Sequence, residues 1–498
     1  MNEKRFFSQK ILGFSWCGGC RNHYPCSMVN SVCNLLLLVT LGIGLFQGCI
    51  TVGPDYHQHQ PKVPDAWHHE LFKGFSNGET SLKTWWKAFG DSTLDSLIER
   101  ASTDNLDLKA AENRIIEAQA RRGIATGERF PDINGTGIVA RTRTSDDFFP
   151  LTGKRSDYTY GLGLGASWEI DFWGRIRRLV ESTDASFEAS VEAYRDVQVL
   201  LSAEIALNYA EVRTLQARIK FAEGNIRAQR DTLKITRARF KAEIAPELDV
   251  RQAELNLSRT ESTIPVLRSS MNQAINRLGV LLGDFPSTLH NELDEEAPIP
   301  QPPENIVVTL PANLLRQRPD IRRAERELAA QTAQIGVATS ELYPRFFLLG
   351  DFGFEGTSDI LDYKNRSWSI GPTFRWNLFD GGRVRNFIRV EEAQTEQALV
   401  HYEQTILTAL EEVESALVAY AEEKNRWGLL KNSVEAAQRS VDLVKILYIN
   451  GLTDFQNVLD MEQSLFQQQD EFATSKGNVV QNLIRLYRAL GGGWEVEI

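Results

Sequence analysis

Cysteine is missing from all but the front of this 498-residue chain. Cys17, Cys20, Cys26, Cys33 and Cys49 are the five present, so no disulfide framework holds the body. A thiol-free body suits an oxidising compartment. Long apolar runs are also lacking after residue 50, which excludes a transmembrane helix there. Positive charge is in deficit: the formal net charge is −11. No Lys/Arg cluster forms the basic face that nucleic acid requires, so nucleic acid is not an expected partner. No nucleophile–base set, phosphate loop or metal motif stands out, which argues against an enzyme and a cofactor. Trp16-Cys17-Gly18-Gly19-Cys20 has the spacing of a redox motif, but no strand precedes it and the segment reads as one that is removed. His57, His59, His68 and His69 could ligate a metal, but read instead as polar filler of a solvated linker.

Residues 1–48 read as a secretory signal. Lys4, Arg5, Lys10 and Arg21 precede a short apolar run at 35–46, and Gln47-Gly48 leads to Cys49. The start is Met1 or Met28. Cys49 at the cut resembles a bacterial lipoprotein signal, which makes it the lipidated first residue; the alternative is an unlipidated signal cut nearby. Ile50, rather than Asp, follows, and by the same resemblance favours the outer membrane. Residues 49–90 then read as a lipidated, irregular tether.

What the chain has in abundance is heptads. Phe187, Val191, Tyr194, Gln198, Leu201, Ile205, Asn208, Val212, Leu215, Ile219, Ala222 and Ile226 alternate steps of four and three. That period of 3.5 is the seam of a left-handed coiled coil. The rhythm returns from Leu399 through Tyr402, Ile406, Ala409 and Val413 to Val444 and Tyr448. A helix of about 65 residues is about 100 Å long, longer than a compact domain uses.

The two seams belong to a duplication. Trp168, Gly174-Arg175, Val250, Glu254 and Leu282 match Trp376, Gly382-Arg383, Val458, Glu462 and Leu490 at an offset of 208. Upstream, Ala111-Glu112 and Pro131 match Ala324-Glu325 and Pro344 at 213, so five residues differ within a hairpin loop. The expected plan is a first unit at 91–290, a Pro-rich linker at 291–310 and a second unit at 311–498. Each unit reads helix, strand, strand, long helix, helix. In the first, one helix is predicted over 91–128, strands over 132–143 and 158–172, a long helix to 241, and another over 248–282.

The strands alternate strictly. Leu162, Leu164, Ala166, Trp168, Ile170 and Phe172 point one way; Gly161, Gly163, Gly165, Ser167, Glu169 and Asp171 point the other. Trp368, Ile370, Pro372, Phe374, Trp376 and Leu378 do the same in the second unit. An ordinary half-buried sheet also alternates. Strands of about a dozen residues suit a tilted bilayer crossing, and Trp168, Trp173, Trp368 and Trp376 read as an aromatic girdle. Four strands per chain leave open edges that lipid forbids. A dimer would give eight strands with a filled interior, a trimer twelve with a lumen. The small, polar inner face favours the trimer. The expected fold is therefore an α+β membrane protein: a trimeric 12-stranded barrel, four strands per chain, continued by a long α-helical coiled-coil tube.

Together these stretches resemble the TolC/OprM/NodT-type outer-membrane factors of tripartite efflux pumps. The residues that carry the likeness include Cys49-Ile50-Thr51-Val52-Gly53-Pro54-Asp55-Tyr56, Trp85-Trp86, Trp168-Glu169-Ile170-Asp171-Phe172-Trp173-Gly174-Arg175, Arg318-Pro319-Asp320-Ile321 and Trp376-Asn377-Leu378-Phe379-Asp380-Gly381-Gly382. The resemblance covers nearly all of the mature chain. It implies a homotrimeric duct through outer-membrane lipid and periplasm, docked on a periplasmic adaptor and an inner-membrane pump, with a lower end that opens like an iris. Export of small molecules is the leading expectation; a protein-export duct or a structural coiled-coil lipoprotein are the rivals.

The helix–helix turns at 242–247 and 450–454 lie farthest from the strands. Glu247, Asp249, Asp454 and Asp460 around them suit a ring of carboxylates at an aperture, or ordinary charge at helix starts. By family motif, Tyr448 and Asp249 match a contact that holds the closed state. Gly451, Leu452 and Thr453, with Ala245 and Pro246, resemble adaptor-contacting tips. Thr453 stands where some relatives carry an Arg that ties the tips, and Asn457 replaces an acid of the constriction.

Overall fold

The computed structural model describes residues 51–59, 61–68, 75–77, 82–143, 156–303, 306–308, 311–357 and 361–494. The leader, Cys49 and His69 lie outside the described residues. In chain order come β1 (Phe75–Asn77), α1 (Ser92–Asp104), α2 (Leu106–Gly127), β2 (Asp132–Arg143), β3 (Ser156–Ile170), α3 (Arg175–Lys241), α4 (Glu247–Leu281) and α5 (His290–Leu293). There follow β4 (Ile306–Val308), α6 (Pro311–Gln317), α7 (Pro319–Ser340), β5 (Arg345–Gly356), β6 (Arg366–Arg375), α8 (Arg383–Ile449) and α9 (Phe455–Ala489).

The duplication is visible as matched lengths. α3 and α8 have 67 residues each, about 100 Å at 1.5 Å per residue. α4 and α9 have 35 each, and α2 and α7 have 22 each. Both long helices start from a glycine with positive φ, Gly174 at 81° and Gly382 at 86°. An L side chain resists that conformation. Just upstream, a carboxylate accepts from the helix's first amides: Asp171 from Ile176 and Arg177 at 3.0 Å, and Asp380 from Gly382 and Val384 at 2.8 Å. Negative charge is favourable at that helix end.

The heptad seams pack as expected. Leu201, Ile205, Val212, Leu215, Ile219, Ala222 and Ile226 of α3 are buried, as are Tyr402, Ile406, Ala409, Val413, Ala416 and Tyr420 of α8. The largest core lies midway along the helices and gathers α1, α3, α4, α8 and α9 with Trp85 and Leu314. Trp85 stacks on Tyr487 at 5.2 Å there. β1 and β4 pair in parallel, joining the segments that lead into the two repeats.

The single helix predicted over 91–128 is two. Asn105 takes an extended ψ of 132°, its side chain accepts from Leu108 N at 2.9 Å to cap α2, and its amide donates to Leu281 O at 2.8 Å. An Asn that bonds local backbone competes with helix continuation. The tether, expected to be irregular and solvated, contains β1 and a short 3-10 helix at Trp85–Phe89, and its described part is docked. Val52 N donates to Trp173 O at 3.0 Å, Arg178 binds Asp55 at 2.6 Å, and Tyr56 Oη donates to Glu325 at 2.9 Å. His59 lies edge-on to Tyr402 and 3.4 Å from Glu403, and the His68 amide donates to Glu414.

Candidate functional site

Two regions carry the function-bearing features: the sheet and the far ends of the long helices. The sheet has the order β2-β3-β5-β6, all antiparallel. Its register collects apolar residues on one face: Leu164 lies opposite Phe352 and Phe352 opposite Trp368, while Ala166 faces Ile133 and Ile170 faces Phe346. The other face has Asn134 opposite Gly165, Gly165 opposite Asp351 and Asp351 opposite Ser369, then Thr136, Gly163, Gly353 and Ser367 in line. Leu162, Leu164, Phe352, Trp368, Ile370 and Phe374 are each around half or more exposed in the single chain. Among the described residues β2 and β6 each pair on one side only. A surface this apolar, with strand edges open, is complete only in lipid and beside further strands.

The tryptophans divide. Trp168 and Trp376 donate to the carbonyls of Arg129 and Leu342 at 2.9 and 3.1 Å, and Trp173 donates to Pro344 O at 2.9 Å. These three form a belt where sheet meets helices. Trp368 does not join it: it sits within the apolar face opposite Phe352. β3 stops at Ile170 and β6 at Arg375, short of Phe172 and Trp376, because each chain turns there into the aspartate-capped start of a long helix. Beneath the belt Glu169 holds Arg175 at 2.9 Å and also Arg345.

At the other end α3 turns into α4 and α8 into α9 through the same motif. Glu243 N donates to Phe240 O and Ile244 N to Arg239 O; Gly451 N donates to Tyr448 O and Leu452 N to Leu447 O. This paired closure needs a left-handed residue at its first position. Gly451 supplies it at φ 73°, whereas in the first turn Glu243 does so at φ 61°.

Beneath these turns lies a small core of Leu233, Val250, Ala253, Val444, Tyr448, Phe455, Val458 and Leu459. Tyr448 is buried, with the Arg239 guanidinium 4.7 Å from its ring centre, and Arg239 donates to Ile449 O at 3.0 Å. Asp249 is near: burial first, then its carboxylate, push the Tyr448 hydroxyl up. Among the described residues no hydrogen bond joins Tyr448 to Asp249. Burial first, and then the Asp454 carboxylate, push Asp249 above the usual carboxylate range, against Arg239. So Asp249, Asp454, Tyr448 and Arg239 form one group.

Glu247 and Asp460 stand apart. Glu247 is exposed and bound to Arg251 at 2.9 Å, and Asp460 is exposed and accepts from Gln456 at 2.7 Å. Pro246, Gly451 and Leu452 are exposed, Ala245 and Thr453 half-exposed. The Thr453 hydroxyl accepts from Asn457 at 2.8 Å. Sequence reasoning missed Arg239, which ties α3 to the end of α8. The available signal was its place seven residues beyond Thr232 in a line of polar positions on α3.

A four-stranded strip with one lipid-compatible face, carried on helices of about 100 Å, is a segment of a membrane channel wall. The chain belongs to the outer membrane efflux protein family, whose model matches residues 97–284 and 310–492. It is 30% identical over 457 residues to the solvent efflux pump outer membrane protein SrpC of Pseudomonas putida, 90% of this chain and 96% of that one. It is 30% identical over 456 residues to nodulation protein T of Rhizobium leguminosarum bv. trifolii, with the same shares covered. The solved outer-membrane channel OprN superposes with a TM-score of 0.83 at 35% identity, covering 89% of this chain and 99% of that one. CusC superposes with a TM-score of 0.77 at 26% identity, covering 89% and 100%. The fold is that of the trimeric outer-membrane efflux channels, α+β with long helices and an internal duplication. The chain is an outer-membrane efflux channel of the kind that serves tripartite pumps, and its family is one of channels.

Proposed function

We propose that three copies of this chain close a twelve-stranded barrel and a helical tube, forming a passive duct for small molecules. A periplasmic adaptor engages the tips at Ala245, Pro246, Gly451, Leu452 and Thr453 and links the duct to an inner-membrane pump. Cys49 carries the lipid that anchors each copy beside the barrel. Asp249, Tyr448 and Asp454 set the lower aperture, with Glu247 and Asp460 adding negative charge at its rim. The observation that carries this reading is the sheet: an apolar face fixed by register, a small polar face behind it, and edges that are unpaired among the described residues on both sides.

A structural coiled-coil lipoprotein would have no use for such a face. A protein-export duct would use it equally, and the lipoprotein-type leader favours the small-molecule duct. The test is detergent-purified full chain, weighed by light scattering and then placed in a planar bilayer. A three-copy particle with discrete conductance steps is the expected result. A stable single-copy particle without a bore overturns the proposal.

A further inference from the structure

α3 carries a second repeat beside its apolar seam. Glu211, Arg218, Asn225 and Thr232 are spaced by strict sevens, and each hydrogen-bonds to α9. Gln481 donates to Glu211 at 2.8 Å, Arg218 binds Asp470 at 2.7 and 3.0 Å, and Asn225 donates to Gln469 at 2.6 Å. The next seventh position is Arg239, already described at Ile449 O. A line of polar contacts between two coiled-coil hairpins sets their register, at some loss of stability compared with apolar packing.

The lowest of the four rungs differs from the others. Glu462 of α9 is only 4% exposed. Its Oε1 accepts from Thr232 Oγ1 of α3 at 2.6 Å and lies 2.9 Å from Lys445 Nζ of α8. Its Oε2 accepts from Asn256 Nδ2 of α4 at 3.5 Å. One buried carboxylate therefore joins all four helices of the lower tube, immediately above the small core that holds Tyr448 and Phe455. The duplication sharpens its meaning. Arg237 and Glu254 of the first repeat sit at the positions equivalent to Lys445 and Glu462, and they too form an ion pair, at 2.8 Å. In that pair Arg237 is exposed and Glu254 half-buried in the single chain. Glu254 has a second partner, Arg251 at 3.0 Å, on its own helix, whereas Glu462 is drawn between the hairpins and accepts from Thr232 and Asn256 of the other one.

We infer that Glu462 is a positioning residue of the channel: it fixes the α8–α9 hairpin against the α3–α4 hairpin and thereby holds the lower end in its narrow arrangement. A buried carboxylate with three donors on three helices tolerates few relative placements of those helices. Sliding α9 by one turn, about 5.4 Å, would strand the charge in an apolar core. Water reaching the seam can replace the donors, so the lock is strong while the hairpins are closed and releasable once they part.

The inference rests on the duct reading above, and the test separates the two. Wild type, Glu462→Leu, Glu462→Gln, Lys445→Met and a control, Glu296→Leu, are compared in planar bilayers. Glu296 is exposed and pairs with Lys220, itself exposed. If wild type forms no channels, the duct reading fails before the inference is reached. Given wild-type channels, Glu462→Leu is expected to raise resting conductance about tenfold, the factor that about 1.4 kcal/mol sets on a two-state balance. Glu462→Gln, which removes the charge and keeps one acceptor oxygen for Thr232 while losing the one that accepts from Asn256, and Lys445→Met should each give smaller rises, and Glu296→Leu none. Linking Asn225→Cys to Gln469→Cys by a disulfide should return Glu462→Leu to the wild-type level. If Glu462→Leu does not assemble, Glu462→Gln and Lys445→Met carry the decision. Assembled Gln and Met variants with wild-type conductance overturn the inference, even if their melting temperatures fall, because a merely structural role would lower only those.

Discussion

The two repeats share one skeleton and differ in what lies against it. The three longest helices of each repeat agree in length to the residue, and both long helices begin at a left-handed glycine below an aspartate. Yet a Cβ on Gly174 would sit 2.8 Å from Thr51 Cγ2 and 3.1 Å from Thr51 Cα, while one on Gly382 would meet nothing within 4 Å. The docked N-terminal strap makes that difference. At the tips the difference is intrinsic: glycine fills the left-handed position in one turn and glutamate in the other. The long helices share lengths and aspartate caps, and their surroundings give each copy its own work.

The largest expected effect breaks the equivalence of the two helix starts. Gly174→Ala carries both the left-handed penalty, about 1–2 kcal/mol, and the clash with Thr51, about 1–3 kcal/mol. Gly382→Ala carries only the first. Chemical unfolding of the detergent-solubilised protein should therefore show a loss about twice as large for Gly174→Ala; equal losses would mean that the strap does not press on this start. Next come the tips. Glu243→Gly should stabilise by about 1 kcal/mol and Gly451→Ala destabilise by about as much, since each moves one turn towards the other's backbone preference. Thermal unfolding of the two variants checks this, and shifts of the same sign would refute it.

The smallest effect concerns charge. Asp249 is held above its usual pKa by burial and by Asp454, so the folded tip favours its protonated form. That contribution is complete below the ordinary aspartate range and is lost as pH rises through the raised value. At neutral pH the two carboxylates push the turns apart. Resting conductance should fall as pH is lowered from about 7 to about 4. Asp249→Asn should flatten that dependence at the low-pH level, and an unaltered slope in the variant would remove Asp249 from the aperture.

Much of this molecule could be read from periodicity alone. A period of 3.5 sustained over dozens of residues admits one structure, and the buried seams follow it. Strict alternation fixed the faces of β3 and β6, and hydrogen-bond register then aligned them with β2 and β5. What escaped was set by contacts distant in sequence. The break at Asn105 depends on Leu281 O, 176 residues away, and the docking of the tether depends on Arg178 and Glu325. Composition could see neither. At the tip, Tyr448, Asp249 and Asp454 are brought together, whereas Asp460 points elsewhere and Arg239 was overlooked as one cation among many. A cation–ring contact has no signature along the chain, only a geometry across it.

The five-residue change of offset, from 213 before the second strand of each hairpin to 208 after it, falls within the β-hairpins and nowhere along the helices. The chain therefore works as a gauge written twice, in which only the end beyond the strands is free to vary. Seven residues added to α3 alone would displace its turn by about 10 Å from that of α8 and leave a notch in the rim. The same seven added to α3, α4, α8 and α9 together would keep every heptad in phase and lengthen the duct by one step. Reach across the periplasm is thus a quantity this architecture can change only in whole heptads, and only in all four helices at once.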